Sequence, residues 1–169
     1  MIAMQRQQLD WFRLNSRERT YQLRSGSKKV VSLSWDNGRC PSATAEAHGE
    51  RWLFNCIGYL SKQVVVQSPR TGKMIAKFVP NTGGGTLHMT DGTVYTLKSE
   101  YPLHPEMRWE NEDGETLVRF HGDFGFENKS GDVELARHLP PDSSYDITLL
   151  TSLGWYLMVS SFLDMTLIM

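Results

Sequence analysis

Hydrophobic and polar residues alternate along most of this chain, and the alternation stops near residue 140. From Lys29 to Trp35, Val31, Leu33 and Trp35 fall on one side of an extended segment, with Ser32 and Ser34 on the other. From Arg51 to Ile57, Trp52, Phe54 and Cys56 fall together. Met107 and Trp109 oppose Arg108 and Glu110, while Thr116, Val118 and Phe120 oppose Glu115, Arg119 and His121. A period of two with one apolar face predicts strands of a sheet that is wet on one side. Val64-Val65-Val66 and Met74-Ile75-Ala76 are continuous apolar runs, which predict strands covered on both faces.

Turn signals divide these segments. They are Asp36-Asn37-Gly38, His48-Gly49, Pro69 to Gly72, Asn81 to Gly85, Asp91-Gly92, Glu112 to Gly114, Gly122-Asp123 and Ser130 to Asp132. Asn-Gly and Asp-Gly pairs supply the positive φ of tight hairpins. Many of the signals sit about 8–12 residues apart, the spacing of an all-β sandwich or barrel.

After Pro140-Pro141-Asp142-Ser143-Ser144, which ends the strands and offers helix N-caps, the pattern changes. Ile147 to Leu163 is 17 residues without a charge, and its apolar side chains reach every side of a helical wheel. Such a helix must be buried in protein or in lipid. Seventeen residues rise about 26 Å, short of a hydrocarbon core of roughly 30 Å. The segment carries several Thr and Ser, and Asp164 follows with no Lys or Arg beside it. Both features favour a helix enclosed by the sheet over a membrane span. The expected fold is mainly β: a closed antiparallel β-barrel around a hydrophobic C-terminal α-helix. It forms one domain over residues 1–169, with strands from about residue 8 and the helix over about 144–162.

Composition fits one globular domain, with 40% hydrophobic and 22% charged residues. Cys40 and Cys56 lack metal-ligand spacing and are read as two thiols. Gln5 to Gln8 stand where a secretory leader needs an apolar run, so the chain reads as cytoplasmic, with peripheral membrane attachment as the variant. The net charge of −1 conceals a division. Residues 1–80 hold 13 Lys/Arg against 5 Asp/Glu, whereas residues 81–169 hold 5 against 14. Either the two halves form distinct faces, or they interleave in one sheet and their charges mix.

The segments Lys62 to Val79 (KQVVVQSPRTGKMIAKFV), Gly92 to Leu97 (GTVYTL), Met107 to Phe120 (MRWENEDGETLVRF) and Tyr145 to Val159 (YDITLLTSLGWYLMV) carry a likeness. Short antiparallel strands followed by one apolar helix resemble the tubby C-terminal-like superfamily. Within it the chain is similar to the branch of phospholipid scramblases and LURP-one-related proteins, including small bacterial members. The resemblance implies a barrel around a central helix. In some members it also implies binding of phospholipid or phosphoinositide on a basic surface. Asp123, Glu127 and Asp132 do not form a D-x-[DN]-x-[DN]-G calcium loop, and no Cys-rich cluster is present, so calcium-driven scrambling is not implied.

Other chemistry finds little support. The histidines, His48, His88, His104, His121 and His138, are scattered singly, with no metal pair. No G-x-S-x-G elbow occurs, and Gly83-Gly84-Gly85 lacks the phosphate-loop pattern and reads as a flexible loop. Glu110, Glu112, Asp113 and Glu115 read as a solvated acidic turn, with weak cation binding as the alternative. No enzyme and no cofactor are expected. The candidate binding set is basic: Lys62, Arg70, Lys73 and Lys77 on one hairpin, joined by Lys28, Lys29, Arg39 and Arg51 if the barrel gathers those loops. Arg and Lys there can grip lipid phosphates; a solvated edge is the alternative. The function expected is thus a non-enzymatic binding module for anionic phospholipid headgroups or the membrane surface. The alternative is a structural or protein-interaction scaffold without a lipid role, with an exposed strand edge as its route to a dimer. Nucleic acid is the poorest fit, given a pI of 6.5.

Overall fold

A sheet that is apolar on one face must cover that face, and this chain does so by closing the sheet around its own C-terminal helix. The structure, a computed structural model, describes residues 9–14, 19–36, 42–58, 62–100, 106–124, 129–137, 139 and 143–160. Twelve antiparallel strands form the wall: β1 (Leu9–Arg13), β2 (Thr20–Ser25), β3 (Lys28–Trp35), β4 (Ala43–Ala47), β5 (Glu50–Ile57), β6 (Gln63–Gln67), β7 (Met74–Asn81), β8 (Gly84–Met89), β9 (Val94–Glu100), β10 (Glu106–Glu110), β11 (Thr116–Phe124) and β12 (Lys129–Leu135). Each strand pairs with its chain neighbours, and β1 closes the ring on β12. Every described strand is thus paired on both sides, so the barrel offers no strand edge for dimerisation.

Helix α1 (Ser144–Val159) fills the interior. Leu149, Leu150, Leu153, Trp155, Tyr156 and Leu157 are fully buried. Full burial of each such side chain contributes about 1.5–3 kcal/mol. Trp155 stacks on Trp11 of β1 at 5.6 Å, and Tyr156 stacks on Trp35 of β3 at 5.8 Å. The helix hydroxyls satisfy themselves: Thr151 Oγ1 donates to the Ile147 carbonyl at 2.7 Å and Ser152 Oγ to that of Thr148 at 2.8 Å. The helix ends at Val159; residues 161 and 162 lie outside the described residues.

The strand alternation holds, with four corrections. Val64 and Val66 face the interior while Val65 and Ile75 are half-buried and Met74 is exposed, so β6 and β7 have one covered face rather than two. Gly122-Asp123 and Ser130-Gly131-Asp132 are not turns; they lie inside β11 and β12, with Gly122 paired to Gly131. A Cβ on Gly131 would stand 2.6 Å from the His121 carbonyl and 2.7 Å from the Trp155 ring, so glycine there makes room for the helix indole. Gly84 and Gly85 are likewise buried in β8 rather than in a loop, because any Cβ would collide with the Leu97 carbonyl or the Phe78 ring. Lastly, Thr116 pairs with Glu110 across a β-bulge and leaves the face of Val118 and Phe120.

Candidate functional site

The β6–β7 turn fixes two of the four candidate cations. Ser68 accepts the Gly72 N–H at 2.8 Å, its own N–H donates to the Lys73 carbonyl at 3.0 Å, and Gly72 takes φ +71°. Arg70 and Lys73 are exposed on this turn. Lys77 lies within β7, outward between buried Ala76 and Phe78, paired with Val65 on one side and His88 on the other. Lys62 precedes β6, at the opposite end of the hairpin. The five residues of β6 span roughly 17 Å, so the four cations form a strip along the outer wall rather than a cluster at one tip. Lys28 and Lys29 are exposed at the β2–β3 turn, and Arg51 pairs with Glu46 at 3.2 Å. Arg39 lies outside the described residues.

Strand order decides how the two halves of the chain share the surface. Because neighbours on the wall are neighbours in sequence, residues 1–80 supply one contiguous arc, β1 to nearly all of β7, and the remainder supplies the other, β8 to β12. The halves do not interleave. The first arc carries Arg24, Lys28, Lys29, Lys62, Arg70, Lys73 and Lys77. The second carries exposed Asp91, Glu112, Asp113, Glu115 and Glu134. Among the described residues the first arc is therefore net basic and stands beside a second arc that is net acidic.

On the acidic arc Lys98 and Arg108 are engaged locally. Glu110 accepts from Arg108 Nε at 2.8 Å and pairs with Lys98 at 3.2 Å; Arg108 also reaches Glu100 at 3.4 Å. The Arg108 hydrogen bond holds the Glu110 carboxyl below the usual range and raises the guanidinium's own pKa. Glu110 is thus buried in an ion-pair network rather than solvated, while Glu112, Asp113 and Glu115 are exposed as expected. His121 lies 4.0 Å from Glu106 and 3.9 Å from Glu134. Such outward charges would be costly against acyl chains. Among the described residues no helix is long and apolar enough to cross a membrane, and no group of three or more His, Cys, Asp or Glu has metal-holding geometry. His104, His138, Cys40 and Glu127 lie outside the described residues.

The mouth of the barrel at the helix N-terminus carries two polar contacts that the strand pattern does not reveal. Trp52 Nε1 on β5 donates to the Tyr145 hydroxyl at 3.0 Å, and the Tyr95 hydroxyl on β9 donates to Asp146 at 2.5 Å. Burial, then the bond to Asp146, pushes the Tyr95 hydroxyl pKa well above its ordinary value. Ser143 occupies the N-cap position but makes no side-chain capping bond; Asp146 in the first turn favours the helix dipole instead. No family model, curated protein or solved structure matches this chain.

Proposed function

We propose that this chain is a non-enzymatic binding module of the tubby C-terminal-like type, in the branch of scramblases and LURP-one-related proteins. In this reading it docks peripherally on an anionic phospholipid surface from the cytoplasmic side. The observation that carries the reading is the contiguity of the basic arc, since a meander of strands keeps the cationic half of the chain on one side of the wall. The closed barrel around an axial helix supports the family resemblance. The basic strip Lys62, Arg70, Lys73 and Lys77 is the docking surface, and the acidic arc turns away from the membrane.

Sedimentation with anionic liposomes tests it. Each cation near the surface contributes on the order of 1 kcal/mol. Replacing all four with Ala then weakens binding by roughly a thousandfold if the contributions add, and added salt weakens the wild type. Side-on docking makes R70A/K73A and K62A/K77A comparable; end-on docking through the turn makes the first pair dominate. A wild-type protein that ignores anionic liposomes at low salt overturns the reading in favour of the scaffold.

A further inference from the structure

One cross-strand row on the outer wall runs Asp132 (β12), Asp10 (β1), Arg24 (β2), Lys29 (β3), each paired with the next in register. Lys29 is exposed and Asp10, Arg24 and Asp132 are half-buried, and the charges read minus, minus, plus, plus. Asp10 and Asp132 are directly opposed, which places their Cβ atoms about 5 Å apart and destabilises an isolated sheet. Among the described residues neither carboxylate forms an ion pair, and neither do Arg24 and Lys29. The row lies where the acidic and basic arcs meet. Beside it, Arg24 stacks 4.5 Å above the Phe12 ring and is held there by two bonds to Gln22 Oε1 at 3.1 and 2.9 Å.

We infer that the β12–β1–β2–β3 face is the interface between two copies of this chain. A two-fold axis lying in the interface along the β1–β2 boundary reverses the order of the row in the partner. Asp10 of one copy then faces the partner's Arg24, and Asp132 faces the partner's Lys29. The same operation matches each cation to a carboxylate, so the row is self-complementary. It brings a second copy's cation onto each of the opposed carboxylates, neither of which forms an ion pair among the described residues of the single chain. The net charge of −1 adds almost no repulsion between copies. The Phe12–Arg24 stack supplies the aromatic and arginine groups that interface centres favour. In the ring of twelve, β7 stands diametrically opposite β1, so the basic β6–β7 hairpin stays free on both copies. The dimer is therefore independent of the lipid reading and compatible with it.

The test is a charge swap read by sedimentation velocity and native mass spectrometry. Wild-type chain dimerises at low salt and dissociates as salt rises. D10K/D132K makes the row wholly basic and R24E/K29E makes it wholly acidic. Each variant alone loses self-association by on the order of tenfold or more, and a mixture of the two forms a 1:1 heterodimer. Circular dichroism melts check that both fold; should either fail, D10N/D132N and R24Q/K29Q take their place and each abolishes the dimer. The proposal is overturned by a wild type that stays monomeric at low salt across the concentration series. It is equally overturned by variants that dimerise as the wild type does, or by folded charge-swap variants that do not pair when mixed.

Discussion

The indole N–H of Trp109, on β10, donates to the backbone carbonyl of Leu150 in the axial helix at 2.8 Å, with both groups buried. It is a fixed polar pin between wall and helix, in a space that Gly154 keeps open. A Cβ on Gly154 would stand 2.4 Å from the tip of Phe120 and 2.9 Å from Trp109 Nε1.

Two effects therefore oppose each other in Gly154→Ala. Alanine favours the helix by about 1 kcal/mol. Overpacking two aromatic rings costs about 1–3 kcal/mol, and the indole pin weakens as well. The steric effect wins, so Gly154→Ala lowers the midpoint of urea unfolding. Trp109→Phe, which removes the pin while keeping a ring, lowers it by roughly 1–3 kcal/mol.

The contact between Tyr95 and Asp146 gives the protein an alkaline limit. In the unfolded chain the phenol ionises near pH 10, whereas in the barrel it holds its proton to higher pH. The contribution is whole below about pH 10 and is lost as pH rises above it, by about 1.4 kcal/mol per pH unit for this one proton. Burial raises the Tyr21 pKa also, adding to the same slope. Tyr95→Phe is expected to be less stable at neutral pH and to lose stability less steeply from pH 10 upward. Equal slopes in urea titrations of both proteins would show that Tyr95 is not held neutral.

Glu110 works in the opposite direction. Its carboxylate, bonded to Arg108 and Lys98, has a lowered pKa, so its contribution is whole above the ordinary glutamate value and is lost as pH falls below it. Glu110→Gln is expected to cost about 1–2 kcal/mol at pH 7 and progressively less as the solution is acidified. A stability gap that stays constant down to acid pH would rule out the charged network as its source.

The wall was legible in the sequence because burial on one face forces a two-residue period, visible in Val31, Leu33 and Trp35 and in Trp52 and Phe54. The helix was legible because no amphipathic solution exists for Ile147 to Met158. Its hydroxyls were weaker evidence than they looked: Thr151 and Ser152 bond to their own helix, as they could in lipid. Glycine misled where it serves packing. Gly131, Gly84 and Gly85 read as turns or loop, yet they sit in strands beside Trp155, Leu97 and Phe78, contacts made across strands and with the helix that the local sequence does not show. The Gly26–Ser27 turn between β2 and β3 escaped the expected set, although Gly26 takes φ +62° there. The basic strip was visible by composition, but its spread from Lys62 to Arg70 required the strand geometry. The Asp132–Asp10–Arg24–Lys29 row joins residues from both ends of the chain, so it exists only once β1 has closed on β12.

Leu153 tests the enclosure itself. It is fully buried at the middle of α1, one residue before Gly154 and the rings that meet there. Leu153→Ala leaves a cavity and costs about 2–5 kcal/mol, because closed walls relax only partly into a void. Leu153→Asp adds an unpaired charge where no water reaches, a larger penalty that approaches the whole stability of a domain of this size. The expected order in urea unfolding is wild type, then alanine with a lower midpoint, then aspartate with no cooperative transition at neutral pH. A Leu153→Asp protein that stays soluble and unfolds cooperatively near the wild-type midpoint would mean that the helix does not lie inside the barrel.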